Sequence, residues 1–146
     1  MTETATANKI LIERLVNGLN GRASSIFEEV YAQDYVGHDP DRADTRRFED
    51  LPSLMTGLLG RTFPDGHYTT ESLTGDADKV VWQWEFRGTH RGPLLGMPAT
   101  GRRITIRGVN VFRVADGKVV EDWIYRDTAG ILRQIGVLPP LAARRR

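Results

Sequence analysis

The sequence predicts an α+β fold in which helices come first and an antiparallel sheet follows. Apolar residues recur at helical spacing up to about residue 59, and beyond residue 67 they alternate with polar residues at a period of two. Asp116-Gly117 separates two runs rich in β-branched and aromatic residues, which is a strong hairpin signal. The chain has 146 residues, so we expect one domain over 1–146, with a core at about 8–138 and frayed termini.

Three helices are predicted before the sheet. The first begins near Asn8, a good N-cap, and carries one apolar stripe; residues 2–7 are expected to be frayed. The second begins at Ser24 or Ser25, and the third spans roughly residues 47–59. These helices are expected to cover one face of the sheet.

Four strands and a closing helix are predicted after them. Segments 67–73 and 79–87 are expected to pair as strands, and the Asp-Gly hairpin supplies two more after a loop rich in glycine and proline. Asp127 or Thr128 can cap a short C-terminal helix, which Gly136 ends.

The composition narrows the function classes. The chain is 40% hydrophobic and 27% charged with a net charge of +1, which is typical of a globular protein and argues against a nucleic-acid partner. The basic cluster at 144–146 is interpreted as a solvated tail. The sequence contains no cysteine, no apolar run long enough for a bilayer and no signal-peptide pattern, so we expect a cytoplasmic protein without a membrane partner.

Most catalytic templates have no match in the sequence. It contains no dinucleotide or phosphate-binding glycine loop and no His-Glu-x-x-His. His38, His67 and His90 are far apart, so neither a metal site nor a cofactor is predicted. Acid/base chemistry in a mostly apolar pocket is the remaining prediction.

A longer pattern occupies the hairpin and the closing helix. Its fixed positions are Arg113, Asp116, Gly117, Lys118, Glu121, Trp123, Asp127, Gly130, Gln134 and Gly136. Together with Gly88-Thr89-His90 and Gly96-Met97-Pro98, this pattern resembles the SnoaL-like polyketide cyclase family of the nuclear-transport-factor-2-like superfamily.

The resemblance extends from about Asn8 to Leu138. It implies a cone-shaped, curved antiparallel sheet, covered by the three N-terminal helices and the short C-terminal helix, with a pocket inside the cone. It also implies a homodimer formed through the outer sheet face. Trp123 and Tyr125 would supply an apolar outer surface of the kind that a partner covers.

Asp122 is the first candidate catalytic residue. Strand alternation places it on one face with Ile124, and places Trp123 and Tyr125 on the other. By analogy with the family, the Asp122 face is the concave one, where burial would raise the pKa of the carboxyl group. Two alternatives remain: a solvated surface acid, or an inverted parity in which the Trp123 face lines the pocket.

Asn110 and His38 are the other candidate catalytic residues. Asn110 lies among apolar residues, where an amide can donate to an oxyanion or make a structural hydrogen bond. His38 precedes Asp39-Pro40, where it can orient a substrate at the cone mouth or belong to an ordinary turn.

A set of apolar residues is predicted to bind a flat polycyclic ligand, although core packing is the alternative for each. The predicted substrate-binding residues are Trp82, Trp84, Phe86, Gly108, Phe112, Ile124, Met55 and Met97.

The sequence departs from the ring-closing cyclases of the family, which carry a catalytic aspartate on the final strand and a histidine two residues earlier. In the register set by the shared motifs, Ile124 takes the aspartate position and Asp122 the histidine position. Gly108 and Asn110 stand where the cyclases have glutamine and histidine. This departure favours the branch implicated in hydroxylating anthracycline-type polyketides without metal or flavin.

The sequence and the resemblance therefore predict a cofactor-independent hydroxylase of aromatic polyketide biosynthesis, acting on a small polycyclic substrate. A separate reductase is a candidate partner. The alternatives are a polyketide cyclase that closes a ring by aldol condensation, an epoxide hydrolase and a non-catalytic ligand-binding domain.

Overall fold

The structure is a computed structural model that describes residues 2–142, so the basic cluster at 144–146 lies outside the described residues. The first helix, α1 (Glu3–Asn20), has its N-cap six residues earlier than predicted. Thr2 is its N-cap, and the Thr2 hydroxyl accepts a hydrogen bond from the backbone N–H of Ala5 at 3.0 Å. Asn8 lies inside the helix and donates to the carbonyl of Ala77, at 3.0 Å.

The short helix α2 (Ile26–Val30) leads directly into strand β1 (Tyr31–His38), which is not among the four predicted strands. The two-residue strand β2 (Arg46–Arg47) follows.

The predicted third helix is present, but it is not one continuous α-helix. It consists of a 3-10 turn (Phe48–Asp50) and a π-helix (Leu54–Thr62). Pro52 separates the two segments, because proline has no N–H to continue a helix and restricts the residue before it. The backbone N–H of Phe63 donates to the carbonyl of Leu58 at 2.8 Å, which is the wider spacing of a π-helix.

Within the described residues, six strands form one curved, open sheet in the order β2-β1-β6-β5-β4-β3. The four later strands are β3 (His67–Gly75), β4 (Lys79–Thr89), β5 (Arg103–Ala115) and β6 (Lys118–Arg126), and all four pair antiparallel. Strand β1 pairs with β6 in parallel.

The predicted Asp-Gly hairpin is confirmed. Asp116 and Gly117 both have positive φ, at 52° and 74°, which is the geometry of a type I′ turn. Helix α3 (Thr128–Gln134) is also confirmed, and Asp127 is its N-cap, accepting from the N–H of Gly130 at 2.9 Å.

The concave face of the sheet packs against α1 and the segment between β2 and β3, and it carries the main core. The predicted parity of β6 is correct: Asp122 is on the concave face and only 2% exposed, whereas Tyr125 on the convex face is 56% exposed. Among residues 2–142, no helix is both long and apolar enough to cross a membrane.

Candidate active site

A cavity of about 280 Å³ lies between the concave face of the sheet and the 3-10 and π-helical segments. Its size is near the lower end of small-molecule pockets, and its wall is mostly apolar. The predicted residues that line it are Trp82, Trp84, Phe86, Asn110, Phe112, Asp122 and Ile124. Adjacent strands bring them together because β4, β5 and β6 pair in register, with Trp82 opposite Asn110 and Asn110 opposite Ile124.

Asp122 is the buried acid of this cavity. The hydroxyl of Tyr35 donates to its Oδ1 at 2.7 Å, and Nδ2 of Asn110 donates to its Oδ2 at 3.4 Å. Burial raises the pKa of Asp122, and the two donors and the nearby charge of Arg46 oppose that rise only in part. The result is a carboxyl group that is a stronger base than an exposed aspartate.

The orientation of the Asn110 amide is fixed by Trp84. The indole N–H of Trp84 donates to Oδ1 of Asn110 at 2.8 Å. Because an indole N–H can only donate, Oδ1 must face Trp84 and Nδ2 must face Asp122. Gly108 makes room for this contact, since a Cβ there would lie 2.4 Å from the ring of Trp84.

Tyr35 is a site residue that the sequence analysis missed. It is fully buried, and its ring packs edge-on against Tyr31, with centroids 4.7 Å apart. The two tyrosines and Gly37 lie on the concave side of β1 and are separated by even numbers of positions, which was the available sequence signal. The sequence did not show that this strand lies beside Asp122, because the β1–β6 pairing joins distant parts of the chain.

A group of charged residues lies on one side of the cavity, around Arg126. The guanidinium of Arg126 donates to both carboxylate oxygens of Asp39 at 2.9 Å, and to Oδ2 of Asp41 at 2.9 Å. Partial burial favours a raised pKa for Asp39, but the hydrogen bonds from Arg126 and from the backbone N–H of Asp41 outweigh it and lower that pKa. Arg42, Arg46 and Arg126 all line the cavity.

The predicted position of His38 is wrong. His38 lies on the convex face, because it follows Gly37 in β1 and strand residues alternate between faces. Its Nε2 is 2.6 Å from Oε2 of Glu121, and its ring stacks on Trp123 with centroids 5.3 Å apart. Its contacts are therefore with the outer sheet surface rather than with the cavity.

Two predicted substrate-binding methionines, Met55 and Met97, pack at the edge of the core instead of on the cavity wall. Leu54, which precedes Met55, and Leu94, which pairs with Met97 in an isolated bridge, line the wall instead. Within the described part of the chain, no group of three or more His, Asp or Glu residues could hold a metal ion.

Residues 9–135 match the family described as SnoaL-like polyketide cyclase. The chain belongs to the SnoaL-like polyketide cyclase family. A curated relative is the aklanonic acid methyl ester cyclase DauD of Streptomyces sp. (strain C5), which is 27% identical over 131 residues, covering 86% of this chain and 80% of DauD.

Solved structures agree with that membership. AclR, a candidate hydroxylase from Streptomyces galilaeus, superposes with a TM-score of 0.82 at 29% identity, covering 94% of this chain and 86% of AclR. A candidate SnoaL-like polyketide cyclase from Jannaschia sp. CCS1 has the same fold, with a TM-score of 0.84 at 24% identity over 96% of this chain and 98% of its own.

Proposed function

We propose that this SnoaL-like protein is a tailoring enzyme of aromatic polyketide biosynthesis, in which Asp122 removes a proton from a polycyclic substrate. The observation that supports this most is the burial of Asp122 at the wall of an aromatic cavity, with Tyr35 and Asn110 as its hydrogen-bond donors. A carboxylate in this setting combines raised basicity with a fixed orientation, and both are required of a general base.

We propose hydroxylation as the reaction. Ile124, two residues after Asp122, stands where the cyclases of the family are expected to carry their aspartate, and it lines the cavity. The similarity to AclR, a candidate hydroxylase, supports the same choice. Proton removal would leave an electron-rich carbanion that adds dioxygen to give a hydroperoxide. Two further electrons, from a quinol form of the substrate or from a separate reductase, reduce it to an alcohol and water.

Cyclisation is the second candidate, and one observation favours it. DauD, which matches 86% of this chain, is an aklanonic acid methyl ester cyclase. The same proton removal at Asp122 would create the carbon nucleophile of an intramolecular aldol reaction, in which a carbonyl of the same molecule replaces dioxygen as the electrophile. Neither route needs a metal or an organic cofactor.

Incubation with an anthraquinone-type polyketide, a reductant and ¹⁸O₂ separates the two reactions. Hydroxylation adds one heavy oxygen to the product, whereas cyclisation gives an isomer or loses water and continues without oxygen. The reaction is repeated in excess EDTA, and we expect unchanged turnover. Isomerisation under anaerobic conditions would contradict the hydroxylase proposal and support the cyclase. Loss of turnover in EDTA, with recovery on adding a metal, would contradict both metal-free routes.

A further inference from the structure

Arg46 is a cavity residue that the chemistry at Asp122 leaves unused. It lies on the short strand β2, lines the cavity, and its side chain is only 19% exposed. Within residues 2–142, its guanidinium makes one charge contact, at 3.7 Å from Oδ2 of Asp39, which is too long for a hydrogen bond. With no hydrogen bond to the described residues, the N–H groups of this guanidinium are available to a ligand in the cavity.

The nearby carboxylates are occupied by a different arginine. Asp39 is bound through both of its oxygens by Arg126, and Asp41 also accepts from Arg126. The nearest acidic group is therefore already neutralised, and Arg46 retains its charge and its N–H donors for another acceptor.

The positive charge of Arg46 affects the pKa values of Asp122 and of the tyrosines around it. Burial raises the pKa of Asp122, Tyr31, Tyr35 and Tyr68, and the positive charge of Arg46 opposes that rise in all four. Three of these residues, Tyr31 on β1, Tyr68 on β3 and Asp122 on β6, line the same cavity as Arg46.

We propose that Arg46 is a further catalytic residue, which binds the anionic oxygen of the substrate, a phenolate or enolate, through its guanidinium N–H groups. This inference rests on the proposed function, because that anion forms when Asp122 takes the proton. The substrate C–H or O–H bond breaks, the proton moves to the carboxylate of Asp122, and the electron pair moves to the oxygen that faces Arg46. A cation aimed at developing negative charge in a partly desolvated cavity stabilises it strongly.

Other charged and titratable groups share the cavity or lie beside it. They are Asp122 and Arg126 on β6, Tyr31 and Tyr35 on β1, Tyr68 on β3, Asp39 and Arg42 between β1 and β2, and Asp50 on the 3-10 turn. The side chain of Arg42 is 36% exposed and that of Arg46 only 19%, so water screens the charge of Arg42 more strongly. Arg46 is thus the cation that we expect to bind the substrate anion.

The test uses a coloured probe and needs no turnover. Alizarin, a planar dihydroxyanthraquinone, changes its visible spectrum when a phenol group ionises, so its apparent pKa can be measured on the protein. We expect wild-type protein to lower that pKa by about one unit or more, the effect of an opposite charge at short range. The O-methylated analogue, which cannot ionise, should bind more weakly at high pH than alizarin does.

Matched variants assign the effect to Arg46. Arg46→Gln should return the apparent pKa of bound alizarin to its value in water, and Arg46→Lys should retain part of the shift. Arg47→Gln is the control, because Arg47 is the neighbouring residue of the same strand and is exposed. In turnover assays, Arg46→Gln should lower kcat by a factor of about 10² with a smaller change in KM.

The proposal is overturned if wild-type protein does not bind alizarin, or if it binds the phenol and phenolate forms equally. It is also overturned if folded Arg46→Gln keeps the wild-type shift. Should Arg46→Gln fail to fold, the comparison of alizarin with its methylated analogue on wild-type protein still decides. If Arg46 lowers the pKa of bound alizarin but no ¹⁸O enters the product, the anion site is retained and the hydroxylase proposal is rejected.

Discussion

Gly37 lies opposite Asp122 across β1 and β6, and a Cβ on Gly37 would be 2.8 Å from Oδ1 of that carboxylate and 2.2 Å from the hydroxyl of Tyr35. The hydrogen bond between Tyr35 and Asp122 therefore passes through the space that a side chain at Gly37 would fill. The absence of a side chain at this position is a requirement of the site.

We predict that Gly37→Ala lowers stability by about 1–3 kcal/mol, the usual cost of overpacking, and lowers turnover as well. The added methyl group must displace Tyr35 or Asp122. Urea unfolding and steady-state kinetics measure the two effects. Gly57→Ala is the control, because a Cβ there would have no neighbour within 4 Å. Equal stability and turnover for Gly37→Ala and wild type would mean that the Tyr35–Asp122 contact is dispensable.

Asp122→Asn should lower kcat by a factor of about 10² to 10⁴, because the amide keeps the shape and the hydrogen bond from Tyr35 but cannot accept a proton. Substrate affinity, measured by equilibrium titration, should change little. Glu121→Gln is the matched control on the opposite face of the strand, where Glu121 contacts His38 and Arg113. Loss of turnover in Glu121→Gln with normal turnover in Asp122→Asn would move the chemistry to the convex face.

Substituting Asp122 and substituting Asp39 should change the pH dependence of the free energy of unfolding in opposite directions. Burial raises the pKa of Asp122, so its contribution to stability is full below the unfolded value of 3.8 and is lost as pH rises through the folded-state pKa. The free energy of unfolding of Asp122→Asn, relative to wild type, should therefore increase with pH above about 4. Urea titrations across this range measure it, and a flat difference would show that the pKa of Asp122 is not raised.

For Asp39→Asn, the free energy of unfolding relative to wild type should instead decrease as pH rises, and at neutral pH this variant should be less stable than wild type. The pKa of Asp39 is lowered, so its contribution is present above 3.8 and is lost as pH falls through the folded-state pKa. Its side chain is 4% exposed, and removing its charge leaves Arg126 without its main partner, at a cost of about 3 kcal/mol near neutral pH. The exposed pair of Arg14 and Glu29 is the control, since Arg14→Gln should cost less than about 1 kcal/mol. A similar loss in both variants would contradict the distinction.

We predict that the protein is a homodimer formed through the convex face of the sheet. Trp123 is partly exposed there and Tyr125 largely so, and a sheet face of this kind usually needs a partner. Light scattering should give twice the mass of 16.4 kDa at micromolar concentration. Tyr125→Glu should give monomers, whereas Ile10→Glu, at a similarly exposed position of α1, should not. A monomeric wild-type protein would rule out the prediction.

Local patterns predicted much of the sheet correctly. The turn at Asp116-Gly117 follows from the two residues themselves, and the alternation of β6 follows from the chain on either side of the turn. With the concave face assigned through the family resemblance, these patterns placed Asp122 and Asn110 in one cavity. The register of adjacent antiparallel strands then gave most of the aromatic wall.

The remaining errors have long-range causes. Tyr35 and Asp122 are 87 positions apart, and only the parallel pairing of β1 with β6 shows that they touch. The same pairing decides that His38 faces outward, which no property of His38 itself indicates. The segment at 47–59 is an exception with a local cause, because Pro52, which is visible in the sequence, divides it into a 3-10 turn and a π-helix.

The parallel pairing of β1 and β6 also has a consequence for folding. Parallel strands that are distant in sequence close only after a large loss of chain entropy, which is typical of late and slow steps. Strands β3 to β6 can pair through contacts between consecutive strands, but the contact of Tyr35 with Asp122 forms only when β1 pairs with β6. During synthesis, Asp122 would therefore gain its hydrogen bond from Tyr35 only after β6, the last strand, has left the ribosome.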